Sequence, residues 1–274
     1  MIGPFVDIGW VRGHLAGLVL ADCRWYTDGR SGRAAYAAGH IPGAVFVDLD
    51  TALSRHEAPA LAGRHPLAEP EDFAAAMAAL GIGDDDTVIA YDDAGGVIAA
   101  RLVWMLRAIG HEAALLDGGL AAWDGELEAD NGEANSPRAT FTARPWPVDR
   151  IAAIDEVAAL AAGGGTVLDA RPAERFAGAP DDLDPRAGHI PGSRSVPCRE
   201  NVDADGRLLP VADLRARFAV DDAAAVIASC GSGVTACHNL LAMEQAGLGR
   251  GRLFPGSWSQ WSRDPARPVQ IGAG

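Results

Sequence analysis

Short apolar runs recur along the chain, separated by longer amphipathic segments. Leu18–Asp22, Thr87–Tyr91, Thr166–Asp169 and Ala224–Ser229 are nearly continuous apolar stretches. That is the pattern of strands buried on both faces of a parallel sheet. Between them, Pro70–Leu80, Val97–Ile109, Asp155–Ala162, Pro210–Phe218 and Thr235–Ala246 are rich in Ala and Leu and predict helices with one apolar face. Pro70 and Pro210 are read as opening two of these, where the missing N–H costs nothing. Strand–helix alternation of this kind predicts an α/β fold, a small parallel sheet flanked by helices on both faces.

The same landmarks then occur twice in the same order. GHIPGA at 39–44 returns as GHIPGS at 188–193, 149 residues later. Each copy follows an apolar run that ends in Asp-x-Arg (VLADCR at 19–24, VLDAR at 167–171). Each precedes a run that enters a Gly-containing loop (TVIAYDDAGG at 87–96, AVIASCGSG at 225–233). Each unit closes on Gly followed by Trp (DGGLAAW at 117–123, PGSWSQW at 255–261). The chain therefore reads as two tandem homologous domains, residues 1–125 and 151–274. A connector, residues 126–150, should lie along the surface on Phe141 and Trp146.

Charge and cysteine usage narrow the function. With 23 basic and 37 acidic residues the net charge is −14, and every basic residue apart from histidine is Arg. Such a surface repels phosphate backbones and anionic lipid, so neither nucleic acid nor membrane is an expected partner. No apolar run approaches the roughly 18–20 residues of a membrane span, and MIGPFVDIGW lacks the basic and apolar regions of a signal peptide. Cys23, Cys198, Cys230 and Cys237 form no CxxC pair, so neither a zinc site nor a disulfide scaffold is expected. A cytoplasmic, reducing setting is expected, where thiols stay free.

Cys230 is the candidate nucleophile. It ends a predicted strand and begins C-G-S-G-V-T-A, which runs into a predicted helix. A strand–loop–helix with two glycines points several backbone N–H groups into one concavity, and the helix start adds positive potential. A cysteine sulfur set there is placed for nucleophilic chemistry. Phosphatases with a C-x5-R loop use a similar cradle, but the sixth residue after Cys230 is Ala236, so their phosphate-binding Arg is absent.

The loop, the two GHIPG units and the tandem order resemble the sulfurtransferases of the rhodanese superfamily. Tyr36 with His40-Ile41-Pro42-Gly43-Ala44 is similar to the family's first signature. Gly256-Ser257-Trp258-Ser259-Gln260-Trp261 is similar to its second, with Gln260 where Glu is usual. The resemblance implies two tandem rhodanese-like domains, each with a five-stranded sheet, of which only the second is catalytic. In the first, Asp92 or Asp93 stands where Cys230 does in the second. It implies a Cys230 persulfide, cradled by Gly231, Gly233, Val234 and Thr235, and no metal or organic cofactor.

Donor and proton handling follow from the same resemblance. Members specialised for thiosulfate carry two basic residues after the cysteine, whereas Gly231 and Ser232 are neutral. The loop resembles that of the 3-mercaptopyruvate sulfurtransferases, in which an Arg fork holds the donor carboxylate. Arg175 is implied for that task. Asp182 stands at the spacing of the second family Arg, and Arg186 is taken as its substitute. A Ser–His–Asp relay maps onto Ser232, His65 and Asp50. Acceptors would be a thiol, thioredoxin or cyanide. Thiosulfate:cyanide sulfurtransferase is the alternative activity, and a non-catalytic rhodanese-like binding or regulatory module the alternative class. Persulfide formation separates enzyme from module.

His40 and His189 occur in both units and are read as structural, as are the pairs Asp22–Arg24 and Asp169–Arg171.

Overall fold

In the computed structural model, which describes residues 2–55, 57–129, 139–180 and 182–273, the apolar runs form two parallel sheets. The chain divides into two compact units, and neither is contiguous in sequence. The first comprises Met1–His56, Ala68–Trp146 and Val202–Leu208; the second comprises Glu57–Leu67, Pro147–Asn201 and Leu209–Gly274. Each half of the chain thus lends one short segment to the unit built by the other half.

The first unit has strands β1 (Phe5–Val6), β2 (Leu18–Asp22), β3 (Val45–Phe46), β4 (Thr87–Tyr91) and β5 (Ala113–Leu116), in the order β1-β5-β4-β2-β3. Its helices are α1 (Ile8–His14), α2 (Gly32–Ala38), α3 (Leu49–Ala52), α4 (Pro70–Ala79) and α5 (Ala100–Ala108). β2 and β4 pair over their whole length, Leu18 opposite Thr87 through Asp22 opposite Tyr91, so both Asp22 and Tyr91 stand at the carboxyl edge of the sheet. Helix α5 is buried from Ala100 to Arg107. It starts at Ala100 rather than at the expected Val97 because the preceding residues wrap around the Asp92 carboxylate.

The second unit has strands β6 (Thr166–Asp169), β7 (Arg194–Ser195), β8 (Val226–Ser229) and β9 (Arg252–Leu253), in the order β7-β6-β8-β9. Its helices are α6 (Ile154–Ala162), α7 (Ala173–Ala177), α8 (Val211–Phe218), α9 (Ala236–Gln245) and α10 (Ser257–Trp261). The expectation of five strands is corrected here. At the position matching β1, Ile151 makes a single parallel bridge to Leu253, and the chain turns at Ala153 straight into α6. Pro210 likewise caps α8 in extended conformation (φ −52°, ψ 146°) instead of being its first residue.

The repeated motifs do the same structural work in both units. Asp22 and Arg24 form a bidentate pair whose guanidinium also donates to the Gly39 carbonyl at 2.8 Å. Asp169 and Arg171 repeat this, with Gly188 as the carbonyl. Both pairs are buried, so each charge has its partner in place and no bare ion is left in the core. His40 and His189 each hold a backbone carbonyl through Nδ1, that of Tyr36 at 2.9 Å and that of Phe176 at 2.8 Å. Each ring also stacks on the same aromatic residue at 3.7 Å.

Of the connector, residues 130–138 lie outside the described residues. Phe141 is buried and stacks on His111, and the Trp146 indole donates to the Ala68 carbonyl at 2.8 Å. Among the described residues, no helix is long and apolar enough to cross a membrane. No group of three His, Cys, Asp or Glu among them is placed to hold a metal ion.

Candidate active site

β8 ends at Ser229, and Cys230 follows at the carboxyl edge of the second sheet, six residues before α9 begins. Two contacts fix it. The Cys230 backbone N–H donates to Ser257 Oγ at 3.0 Å, and the Gly233 N–H points at the Cys230 sulfur at 3.1 Å. Gly233 is required for this turn: its φ is +76°, and a Cβ would lie 2.4 Å from the Pro255 carbonyl oxygen. Val234 is buried behind the loop. Thr235 stands at the N-terminal boundary of α9, but its side chain does not cap the helix. The Cys198 thiol is buried close by. Burial pushes that thiol up to about 12, and the neighbouring Cys230 adds to the rise. All four cysteines are unpaired with one another.

The segment Glu57–Leu67 brings two charged or titratable side chains to this loop within the second unit. It is anchored by the Arg64 backbone N–H, which donates to Ser259 Oγ at 3.0 Å. His65 Nδ1 lies 2.8 Å from Ser232 Oγ, so the expected serine–histidine pair is assembled. Asp50 belongs to the first unit, in the first turn of α3, where it accepts a hydrogen bond from the Trp25 indole at 2.9 Å.

The arginines are arranged differently from the expectation. Arg175, on α7, places its guanidinium 3.8–3.9 Å from where a Cβ on Gly231 would stand. Arg186 does not join it. Its Nε donates to the Ser262 carbonyl, Nη1 to that of Arg267, and Nη2 to those of Trp261 and Asp264, at 2.6–2.9 Å. The end of α10 and the turn after it leave carbonyls without helical partners, and Arg186 supplies the missing donors. Four backbone carbonyls thus engage the guanidinium that sequence spacing offers as a substrate ligand, and the residue also lines a cavity with Arg175.

Sequence reasoning overlooked Arg64. Its Nη2 comes to 2.9 Å of a Cβ on Gly231, nearer than Arg175. Its only sequence-level signal is adjacency to His65. Both guanidiniums pair with Asp184, Arg64 through Oδ1 and Arg175 through Oδ2. A cavity of about 150 Å³ lies beyond the pair, lined by Arg175, Asp184, Arg171 and Trp258 among others.

The first unit shows what the same cradle does without cysteine. Asp92 follows β4 as Cys230 follows β8, and it is fully buried. Its Oδ1 accepts from the N–H groups of Ala94 and Gly96 at 2.8 Å, and its Oδ2 from those of Ile98 and Ala99 at 2.8 and 3.0 Å. Burial pushes this carboxyl up while the four N–H bonds pull it back. A carboxylate cannot accept a sulfane sulfur, so this unit has no nucleophile at its cradle.

Comparison with known proteins agrees with this anatomy. The family signature described as the rhodanese-like domain matches residues 8–126 and 153–264. A protein of Pseudomonas aeruginosa named "Probable 3-mercaptopyruvate sulfurtransferase" is 42% identical over 266 residues, 93% of each chain. The Arabidopsis thaliana protein named "Thiosulfate/3-mercaptopyruvate sulfurtransferase 1, mitochondrial" is 33% identical over 97% of this chain and 78% of its own. Among solved structures, the 3-mercaptopyruvate sulfurtransferase from Leishmania major superposes with a TM-score of 0.85 at 32% identity, covering 95% of this chain and 74% of that one.

Proposed function

The chain belongs to the rhodanese family, as a tandem-domain sulfurtransferase, and from that premise we propose that it moves sulfur from 3-mercaptopyruvate through a Cys230 persulfide to a thiol, thioredoxin or cyanide. The observation that carries the donor is the surroundings of Gly231: a neutral residue follows the nucleophile, and guanidinium groups stand just beyond it. A keto acid held by its carboxylate at that distance presents its thiol to the cysteine.

The Cys230 sulfur attacks the thiol sulfur of the donor. The carbon–sulfur bond breaks, its electron pair stays on carbon, and the donor leaves as the enolate of pyruvate. The proton lost from the donor thiol must reach that carbon, and the Ser232–His65 pair is the group positioned to carry it. The outer sulfur of the persulfide then bonds to the acceptor, and the sulfur–sulfur electron pair returns to Cys230. The Gly233 N–H, already directed at the Cys230 sulfur, and its neighbours in the loop would meet the charge that builds on the outer sulfur. A reducing cytoplasm suits four cysteines that form no disulfide with one another.

The closeness of Arg64 to Gly231 favours a second reading, thiosulfate as donor, because a dianion also seeks two cations. The test is steady-state formation of thiocyanate from cyanide, with each donor at equal concentration and Cys230→Ser as blank. A tenfold preference in kcat/KM for mercaptopyruvate supports the proposal; preference for thiosulfate supports the second reading. No thiocyanate with either donor would return the chain to a binding role.

A further inference from the structure

We propose that Ser259 is a positioning residue for the proton transfer: its hydroxyl seats the segment that carries His65, so that His65 stands against Ser232 on the nucleophile loop. The inference rests on the sulfur-transfer reading above and goes further by naming what holds the proton-carrying pair in register.

His65 and Ser232 lie 167 positions apart in sequence, and one short helix, α10, bonds the neighbours of both. On the loop side, Ser257 Oγ accepts from the Cys230 N–H at 3.0 Å. The Trp258 N–H donates to the Cys230 carbonyl at 3.0 Å, and the Ser259 N–H to the Gly231 carbonyl at 2.8 Å. On the other side, the Ser259 hydroxyl donates to the Gly256 carbonyl and accepts from the Arg64 N–H, both at 3.0 Å. Ser259 is fully buried, and its hydroxyl is thereby used both as donor and as acceptor. Gly63 comes so close that a Cβ on it would stand 2.9 Å from the Gly256 carbonyl oxygen and 3.0 Å from Ser259 Oγ, and its φ is +97°. Glycine at this position lets the segment settle onto the hydroxyl. His65 directly follows the seated Arg64 amide, and its Nδ1 meets Ser232 Oγ at 2.8 Å.

The first unit, which has no nucleophile at its cradle, has no hydroxyl at this seat. Leu120 N–H bonds the Asp92 carbonyl as Trp258 N–H bonds that of Cys230, which sets Gly119 against Ser257 and Ala121 against Ser259. The segment that this unit borrows, Val202–Leu208, is held by a different group: the Leu208 N–H donates to Asp117 Oδ1 at 2.7 Å. Both hydroxyls thus occur in the unit that carries Cys230, one on the nucleophile's own amide and the other on the amide before His65. Ser259→Ala deletes the second hydroxyl and keeps the backbone bond to Gly231. The nucleophile loop retains its support while the His65 segment loses a hydrogen bond.

The test is kcat with mercaptopyruvate as donor and cyanide as acceptor in the wild type, Ser259→Ala, His65→Gln and the double variant, together with amide hydrogen exchange over residues 57–67. Ser259→Ala should lower kcat by about tenfold in the wild type. It should cost less than about twofold more once His65 is glutamine, because a residue that acts through His65 then has nothing left to position. Exchange around Arg64 should accelerate by about tenfold in Ser259→Ala. Gly63→Ala, which pushes the segment off an intact hydroxyl, should give the same kinetic pattern, and it carries the test should Ser259→Ala not fold. Equal losses from Ser259→Ala in both backgrounds, a loss under twofold in the wild type, or unchanged exchange would each overturn the proposal. A wild type that forms no thiocyanate from mercaptopyruvate would instead overturn the sulfur-transfer reading, and the exchange measurement would still decide whether Ser259 seats the segment.

Discussion

Ser257 carries a conflict between backbone strain and hydrogen bonding that can be measured. Its φ is +50°, the left-handed region, although it has a Cβ. In the first unit the matching position is Gly119, with φ +57°. The match is set by the next residue: Leu120 N–H bonds the Asp92 carbonyl as Trp258 N–H bonds the Cys230 carbonyl. Where the cradle holds an aspartate, glycine takes the strained position at no steric cost. Where it holds the nucleophile, serine takes it, and the hydroxyl accepts from the Cys230 N–H at 3.0 Å while donating to the Phe254 carbonyl at 2.8 Å. The left-handed conformation costs a residue with a Cβ about 1–2 kcal/mol, and the hydroxyl offsets it by satisfying a buried donor worth about 1–3 kcal/mol.

Two variants separate these terms. Ser257→Ala keeps the strain and strands the buried Cys230 N–H, a loss of about 1–3 kcal/mol. Ser257→Gly strands the same N–H but releases the strain, against about 0.5–1 kcal/mol for the freer unfolded chain. Glycine should therefore be the more stable replacement by about 0.5–1 kcal/mol, the reverse of their order in ordinary backbone. Urea denaturation of both variants reads this directly, and a thermal melt should separate them by a few degrees. Both should lose sulfur transfer to a similar degree, because both free the nucleophile's own amide. An alanine variant as stable as the glycine one would refute the strain argument, and wild-type kcat in both would refute the anchoring.

Three further outcomes are expected. Cys230→Ser should abolish thiocyanate formation while shifting the melting temperature by no more than a degree or two; activity above a few per cent would remove Cys230 from the mechanism. His65→Gln can still bond Ser232 but cannot carry a proton, so the mercaptopyruvate-dependent rate should fall about 10²–10⁴-fold. A loss under threefold would place the proton transfer elsewhere. Stability should also fall at alkaline pH. Burial raises the Cys198 thiol to about 12 and lifts Cys23 as well, whereas an unfolded thiol titrates near about 8.5. Because the folded values are the higher ones, this stability is fully present below about pH 8.5 and drains away as pH climbs toward 12, by about 1.4 kcal/mol per unit for each thiol. Cys198→Ala should flatten the slope by one thiol's share, and an unaltered slope would contradict the assignment.

The parts of this site that sequence revealed are those whose neighbours in sequence are also neighbours in space. The Cys230 loop is contiguous from strand end to helix start, so its glycines and its nucleophile could be read together. The tandem landmarks were legible because each unit repeats the same local hydrogen bonds, from Asp22–Arg24 to His40 and from Asp169–Arg171 to His189. Arg64 and Asp184 were not legible, since 120 positions separate them. Their meeting depends on Glu57–Leu67 packing in the second unit, which no pattern of apolar residues announces. Arg186 is a related case. Its spacing before GHIPG suggested a ligand, but the carbonyls that claim it belong to a segment 75–81 residues further on.

The two cradles, compared atom by atom, explain why a catalytic loop can look under-used at rest. In Asp92 the negative charge lies two bonds beyond Cβ, and there it collects four backbone N–H groups. In Cys230 the sulfur lies one bond beyond Cβ, and the Gly233 N–H is the donor directed at it. Adding one sulfur to Cys230 moves the terminal charge to two bonds from Cβ, the position Asp92 occupies with its carboxylate oxygens. A persulfide anion is in this respect the counterpart of an aspartate side chain, with sulfur–sulfur in place of carbon–oxygen. The loop of the first unit is two residues longer before its helix starts, at Ala100 against Ala236, which lets it close completely around the Asp92 carboxyl group. The shorter loop after Cys230 keeps the Gly233 N–H at the sulfur, and under the proposed mechanism it would meet a charge that arrives with the outer sulfur and leaves with it. An anion bound by four fixed donors is a structural element, whereas one bound only while the sulfur is attached is an intermediate.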